Sequence, residues 1–412
     1  MAPSKHLAAA LKAADWFVNT QVLMKKPHWD ANHGRFVYTY HIPTKNRVLG
    51  LSWTQGRAII TLLAAWEATG RPEYLKAAIQ GGEYIKHLQV LDARNPRAFG
   101  AIREECLASW YVYPRDAMEA GLGLVFLHRA TGDAEWLYRA RIFGDWFIKQ
   151  AMAEEKGEWT RGAFFLDAAE KKRHLDRRSF CLGGGTPFFS NLAKVTGDSF
   201  YMDRGFRPLA AAQLRDYVRE DGAILSRSRT DPAGEGVGHH DARDKRYEGL
   251  AVNDDALGLT NVVAWKELGE QVYLDRAAAY AEYMLRDEYP VPNHAAAPLR
   301  ALTLLETARA TGEKRFAAFA AERLAPMFQK GQVAGSGDAA IEGAFRGEDE
   351  PAEYYGPKGS DPLDFVNTRV TAYAASALFK LDGKVFGPYY SAFDWEKPVR
   401  RVEPELLAPY RI

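Results

Sequence analysis

The chain has 412 residues, 47% of them hydrophobic, and 54 Lys and Arg against 53 Asp and Glu, a formal net charge of +1. A phosphate backbone selects strongly basic faces, so this balance excludes nucleic acid as the main partner. No apolar run approaches the ~18 residues that span a bilayer, so no membrane partner is expected either.

The first predicted helix covers about 4–23, with Ser4 as N-cap and apolar residues at helical spacing through Leu11, Trp16 and Phe17. Helices then follow in pairs: 53–69 with 72–89, 115–131 with 133–152, 186–196 with 198–218, 253–268 with 271–286, and 294–311 with 313–329. A twelfth runs about 363–380 and ends at Asp382-Gly383. One punctuation joins the members of each pair. It reads Ala68-Thr69-Gly70, Ala130-Thr131-Gly132, Val195-Thr196-Gly197, Leu268-Gly269 and Ala310-Thr311-Gly312. Glycine takes the left-handed conformation that closes a helix, and the acid or proline after it suits the first turn of the next. Helix, glycine stop, helix and long return loop make an αα-hairpin.

The last helix has no following partner and the first has no preceding one, so pairing them closes a ring of six hairpins. The expected architecture is an all-α (α/α)6 toroid. No Pro/Ser/Gly linker divides the chain, so 1–412 reads as one domain, with 384–412 as a tail packed on the barrel. The helices before each glycine stop are rich in small residues, as in Ala117 through Leu124, and are assigned to the inner ring. Their partners carry more charge and suit the outer ring. All short turns then lie on one face and the long loops, near 24–51, 90–114, 153–185, 219–252, 286–293 and 330–362, on the other. Alternating stretches such as Arg35-Phe36-Val37-Tyr38-Thr39-Tyr40 are expected to form short β-ribbons there. The last long loop, with Glu342, Arg346, Glu353, Tyr354 and Tyr355, reads as a mobile lid.

Inner helices start on the long-loop face, so their positive dipole ends converge on one cavity and favour an anionic ligand such as a carboxylate. The polar residues at those starts are Trp53, Gln55 and Arg57; Tyr113, Arg115 and Asp116; Asn253, Asp254 and Asp255; His294; and Asn367 and Arg369. Carboxylates, amides, arginines and flat aromatic rings describe a carbohydrate site. Asp116, in an aromatic pocket before a glycine-rich helix, is the expected general acid. Asp254 or Asp255 supplies a second carboxylate to activate water or hold a hydroxyl. Arg103-Glu104-Glu105 reads as a solvated salt-bridge cluster, and Gly183-Gly184-Gly185 lacks the ending of a phosphate loop. His239 and His240 are adjacent and point apart, so no metal site is expected; one of them, or Tyr247, would carry the proton in a β-eliminating enzyme. Cys106 and Cys181 allow no disulfide framework and read as buried free thiols.

Ser52-Trp53-Thr54-Gln55-Gly56-Arg57-Ala58, leading into Ala68-Thr69-Gly70, resembles the W-x-x-G-Q-x-W helix starts of unsaturated uronyl hydrolases. Arg115-Asp116 through Thr131-Gly132-Asp133 resembles their Asp-bearing helix. The repeated pattern as a whole is similar to the six-hairpin glycosidase superfamily, in which β-glucuronidases share the fold. The resemblance implies a hydrolase that removes a terminal uronic acid from an oligosaccharide without a cofactor. Asp116 would donate the proton, Arg57, Arg115 or Arg369 would hold the uronate, and Trp53 and Tyr113 would form ring platforms. Gln55, Asn253, His294, Tyr355 and Asn367 would complete the sugar contacts. A lyase, a sugar epimerase and a non-catalytic glycan-binding toroid are the alternatives. A monomer or homodimer is expected, in the cytoplasm, or in the periplasm or exterior if a signal segment has been removed; Met1-Ala2-Pro3-Ser4-Lys5-His6 has no apolar signal core.

Overall fold

A computed structural model describes residues 3–24, 31–152, 154–155, 158–159, 164–165, 185–225, 257–286, 296–348 and 355–383. The glycine punctuation, Thr-Gly at four places and Leu268-Gly269 at the fifth, closes helices as expected, with Gly70, Gly132, Gly197, Gly269 and Gly312 all at φ between 67° and 79°. The threonine has its own part in this. The Thr131 hydroxyl donates to the Leu127 carbonyl at 2.7 Å and accepts the Asp133 amide at 3.2 Å. Thr69, Thr196 and Thr311 repeat the same pair of bonds. Each hydroxyl therefore ties the end of one helix to the entry of the next, satisfying groups that helix termini leave open. Asp133 and Asp198 then cap the second helix through the amides of Glu135 and Phe200.

The helices are α1 (Lys5–Thr20), α2 (Ser52–Thr69), α3 (Pro72–Leu88), α4 (Pro114–Thr131), α5 (Ala134–Trp146, ending in a π turn), α6 (Gly185–Thr196) and α7 (Ser199–Tyr201 through Arg207–Asp216). They continue as α8 (Leu257–Leu268), α9 (Gln271–Leu285), α10 (Ala296–Thr311), α11 (Lys314–Phe319 through Ala325–Gln329) and α12 (Thr368–Leu381). Both interrupted helices contain a π turn, Met202–Phe206 and Ala320–Leu324, just before Pro208 and Pro326. A proline ring collides with the carbonyl four residues back, here Arg204 and Glu322 inside those π turns, and the wider turn relieves the collision.

Contacts close the ring. Inner helix α2 packs on α4, α4 on α6, α6 on α8, α8 on α10, α10 on α12, and α12 back on α2. The outer helices α3, α5, α7, α9 and α11 each lie on their hairpin partner, and α1 lies on α12. The seam carries a hydrogen bond from the Ser4 hydroxyl to Asp382. Ser4 is also the N-cap of α1, accepting the Leu7 amide at 3.2 Å. Inner helices are buried all round, as α2 is without a break from Ser52 to Trp66. No helix among the described residues is long and apolar enough to cross a membrane.

The expected ribbon forms as β1 (Val37–His41) and β2 (Asn46–Leu49), antiparallel. A third strand was not expected. Phe365–Asn367, read from sequence as the first turn of the last helix, pairs antiparallel with β1, Thr39 opposite Asn367. Helix α12 begins only at Thr368, because Asn367 is its N-cap and accepts the Val370 amide at 2.8 Å. In chain order the remaining short strands are β3 (Tyr111–Val112), β4 (Glu154–Glu155), β5 (Glu158–Trp159), β6 (Phe164–Phe165) and, for Phe365–Asn367, β7; β3 pairs with β6 and β4 with β5.

Residues 330–348 differ from the expected lid. They fold back on themselves, with Val333 and Gly343 exchanging backbone bonds with Ala344 and Val333, and rest against α1. Trp16 donates to the Ala340 carbonyl at 2.9 Å, and Gln332 to that of Ala9 at 2.8 Å. Glu342 is tied down too, accepting the amides of Gly335 and Ser336, which with the Ser336 hydroxyl hold it below the usual carboxylate range. Glu353 and Tyr354 lie outside the described residues, as does the 384–412 tail.

Candidate functional site

The starts of α2 and α4 stand side by side because their backbones nearly touch one turn in. A Cβ on Gly56 would lie 2.1 Å from the Glu119 carbonyl oxygen, and one on Gly123 3.2 Å from the Gly56 Cα. This is the close approach that small inner-helix residues predict. It brings Trp53, on α2, beside Arg115 and Asp116, on α4. The Arg115 guanidinium lies 5.9 Å from the Trp53 ring centre and its Nη1 binds Asp116 at 2.9 Å. Trp53 is braced edge-on by Tyr38 of β1 at 5.6 Å, and Tyr38 by Tyr355 at 5.1 Å. An aromatic row therefore leads away from a cation and a carboxyl.

Behind Asp116 is a residue that the sequence reading placed in solvent. Glu104 is only 3% exposed, and its enclosed carboxyl lies close enough to Asp116 to feel that residue's charge. It also accepts the Tyr113 amide at 3.3 Å and faces the Ser52 hydroxyl at 3.4 Å. Burial first, and then the Asp116 charge, push Glu104 well above the usual carboxylate range, against the pull of the Tyr113 amide and Arg115. The cluster Arg103-Glu104-Glu105 is thus split: Glu105 stays exposed, 3.8 Å from Arg35, while Glu104 turns inward. The signal for this was present in its neighbours. Ala98, Ala101, Ile102 and Val112 are all buried, so this segment is a core layer and not a solvated loop. Burial first, and then the neighbouring carboxyls Glu104, Glu105 and Asp116, raise the nearby Tyr111 phenol.

Three residues expected at the substrate are engaged with the protein itself. The Gln55 amide accepts the Phe36 amide at 3.0 Å and so fixes the approach to β1. Arg57 forms a buried ion pair with Glu119 of α4 and lies 4.7 Å from the Tyr373 ring of α12, joining three inner helices at their centre. Asn367 caps α12 and donates to the Gly347 carbonyl at 2.8 Å and to Glu348 at 3.1 Å. Glu348, which the sequence reading did not single out, is fully enclosed and also accepts from Thr39 at 3.3 Å. Arg369 is buried in the first turn of α12, and Tyr113 is the N-cap of α4. Cys106 is half-buried and free. Asn253, Asp254, Asp255, His239, His240, Tyr247, His294 and Cys181 lie outside the described residues. A cavity of about 320 Å³, between the 93–99 loop and α5, is lined by Phe99, Ile142, Asp145 and Trp146 and belongs to the outer ring.

No family model matches the chain, and no curated protein matches it in sequence. Solved structures do match in shape. The unsaturated glucuronyl hydrolase of Bacillus sp. GL1 gives a TM-score of 0.68 at 18% identity, over 93% of this chain and 99% of that one. An unsaturated glucuronyl hydrolase specific for heparin gives 0.66 at 14% identity, over 91% and 96%. Cellobiose 2-epimerase from Spirochaeta thermophila DSM 6192 gives 0.66 at 14% identity, over 92% and 96%. The fold is the six-hairpin toroid. In this six-hairpin chain the aromatic row, Arg115 and the Glu104–Asp116 pair all meet where α2 and α4 begin, on the face of the long loops.

Proposed function

We propose that the chain is a glycoside hydrolase that removes a terminal uronic acid, saturated or unsaturated, from an oligosaccharide. The observation that carries this reading is the juxtaposition of an aromatic ring, a guanidinium and two carboxyls, Asp116 and the buried Glu104. Trp53 offers a flat apolar face to a sugar ring. Arg115 matches a carboxylate in charge and fork geometry, and Arg369, at the start of α12, is the second such group. Asp116 is the carboxyl that acts on the glycosidic oxygen, giving up a proton as the bond breaks. Asp254 or Asp255 remains the proposed second carboxylate. The unsaturated glucuronyl hydrolases among the structural neighbours agree with this reading, while the epimerase shows that the fold also hosts other sugar chemistry.

The test uses uronate-terminated oligosaccharides and follows new reducing ends together with ultraviolet absorbance. A hydrolase of unsaturated uronates consumes the conjugated chromophore, a lyase creates it, and an epimerase changes neither. Asp116→Asn should keep the thermal midpoint of the parent and lose at least ~100-fold in rate. Full turnover by that variant would eliminate Asp116 as the acting carboxyl.

A further inference from the structure

We propose that Glu104 is the positioning residue of this site: it holds the one proton of the Glu104–Asp116 pair and supplies it to Asp116. This rests on Asp116 as the acting carboxyl of the hydrolase reading. Two neighbouring carboxyls, one of them enclosed, do not both ionise readily near neutrality, because like charges at short range repel strongly. One proton therefore remains, and the surroundings decide where. Asp116 has the Arg115 guanidinium on its oxygen at 2.9 Å, sits in the first turn of α4, where the helix dipole favours an anion, and is the more exposed partner, at 14%. Glu104 is enclosed, and burial next to a carboxylate favours its neutral form. The charged and titratable groups facing it are Asp116 and Arg115 from α4 and Tyr111 from β3, while α2 presents the Ser52 hydroxyl.

The backbone holds this carboxyl in place. The Ser52 amide donates to the Glu104 carbonyl at 2.7 Å, the Glu104 amide to Tyr111 at 3.3 Å, and the Tyr84 hydroxyl to the Glu105 carbonyl at 2.7 Å. Supply is a simple relay. The Glu104 O–H bond breaks as one forms on Asp116, and that same proton then passes from Asp116 to the departing glycosidic oxygen. Both carboxyls are then briefly charged, Glu104 eased by the Tyr113 amide and Asp116 by Arg115, until a solvent proton arriving through Asp116 restores the one-proton pair.

The full-length chain at neutral pH decides the point by infrared difference spectroscopy, wild type minus Glu104→Gln. The expected difference is a protonated-carboxyl carbonyl band that fades as pH rises. An ionised-carboxylate band in its place overturns the proposal. Selective carbon-13 labelling of glutamate carboxyls in the wild type gives the same answer if the variant does not fold: the protonated band must shift on labelling, and an unshifted band puts the proton elsewhere. Stability follows the same sign. Because the folded-state value is raised, the wild type loses stability relative to Glu104→Gln as pH climbs from the ordinary glutamate range through the raised value, and below that range their difference no longer changes with pH. With substrate, Glu104→Gln keeps a donor but has no proton to relay, so kcat should fall ~10- to 100-fold with KM changed less than about two-fold. Undiminished kcat overturns the supply step. If the wild type cleaves no uronate-terminated substrate, the hydrolase reading fails, while the spectrum still locates the proton.

Discussion

Gly56→Ala adds a single methyl group to the helix that carries Trp53. Its Cβ would meet the Glu119 carbonyl oxygen at 2.1 Å, the carbonyl carbon at 2.4 Å and the Ala120 nitrogen at 2.9 Å. Ordinary contacts of this kind begin at about 3.5 Å. All three neighbours are backbone, so no rotamer change relieves them, and α2 and α4 must part by roughly 1 Å. Helix propensity works the other way, favouring alanine by about 1 kcal/mol. Overpacking costs about 1–3 kcal/mol. The separation also stretches the buried Arg57–Glu119 pair, whose rupture costs about 3–5 kcal/mol. The clash wins, and a net loss of about 3 kcal/mol is expected. Urea denaturation of Gly56→Ala beside Gly132→Ala measures it. Gly132 has nothing within 4 Å of an added Cβ but sits at φ 72°, so its replacement should cost only about 1 kcal/mol. A Gly56→Ala protein as stable as its parent would mean that the two inner helices do not touch in this way.

Further substitutions probe the short-turn end of the ring. Thr131→Val keeps the shape but leaves the Asp133 amide without its acceptor, and should cost about 1 kcal/mol by denaturation, the same loss being expected at Thr69; no change would reduce the threonine to a spacer. Lys380 of α12 and Glu306 of α10 form a buried ion pair in which burial, against the Glu306 charge, pulls the ammonium below its ordinary value. Lys380→Met alone should cost about 3–5 kcal/mol, and Glu306→Leu with Lys380→Met much less. A double-mutant cycle with no coupling energy would show that the pair is not formed.

The ring was legible because its signal is repeated. Each glycine stop, four of them Thr-Gly and one Leu-Gly, fixes a local conformation that glycine alone adopts easily, so helix pairing followed from five copies of one turn. The candidate site was legible only in the part that lies on helix starts. Trp53, Arg115 and Asp116 gather there because α2 and α4 are forced together at Gly56. Glu104 was misplaced because two charged neighbours, Arg103 and Glu105, make its segment look solvated, and no periodicity shows that a carboxyl turns inward. Gln55 and Asn367 illustrate the opposite case. An amide at a helix start faces the site in sequence, yet the backbone of an incoming strand is nearer and takes its hydrogen bonds. Phe365–Asn367 was read as helix because its strand partner, β1, is supplied from the far end of the chain.

That remote pairing has a consequence for how the protein comes into being. The Thr39 hydroxyl reaches the Val366 carbonyl across 327 positions, and Thr368 reaches Val37 across 331. Tyr38, which props the indole of Trp53, belongs to the strand so clasped. A nascent chain emerging from the ribosome can stack its early hairpins in turn, but the wall beside Trp53 must wait for the final helix to arrive. The wall is completed only at the end of assembly, and a polypeptide cut short before Phe365 would leave β1 without its β7 partner and Tyr38 unclasped beside Trp53.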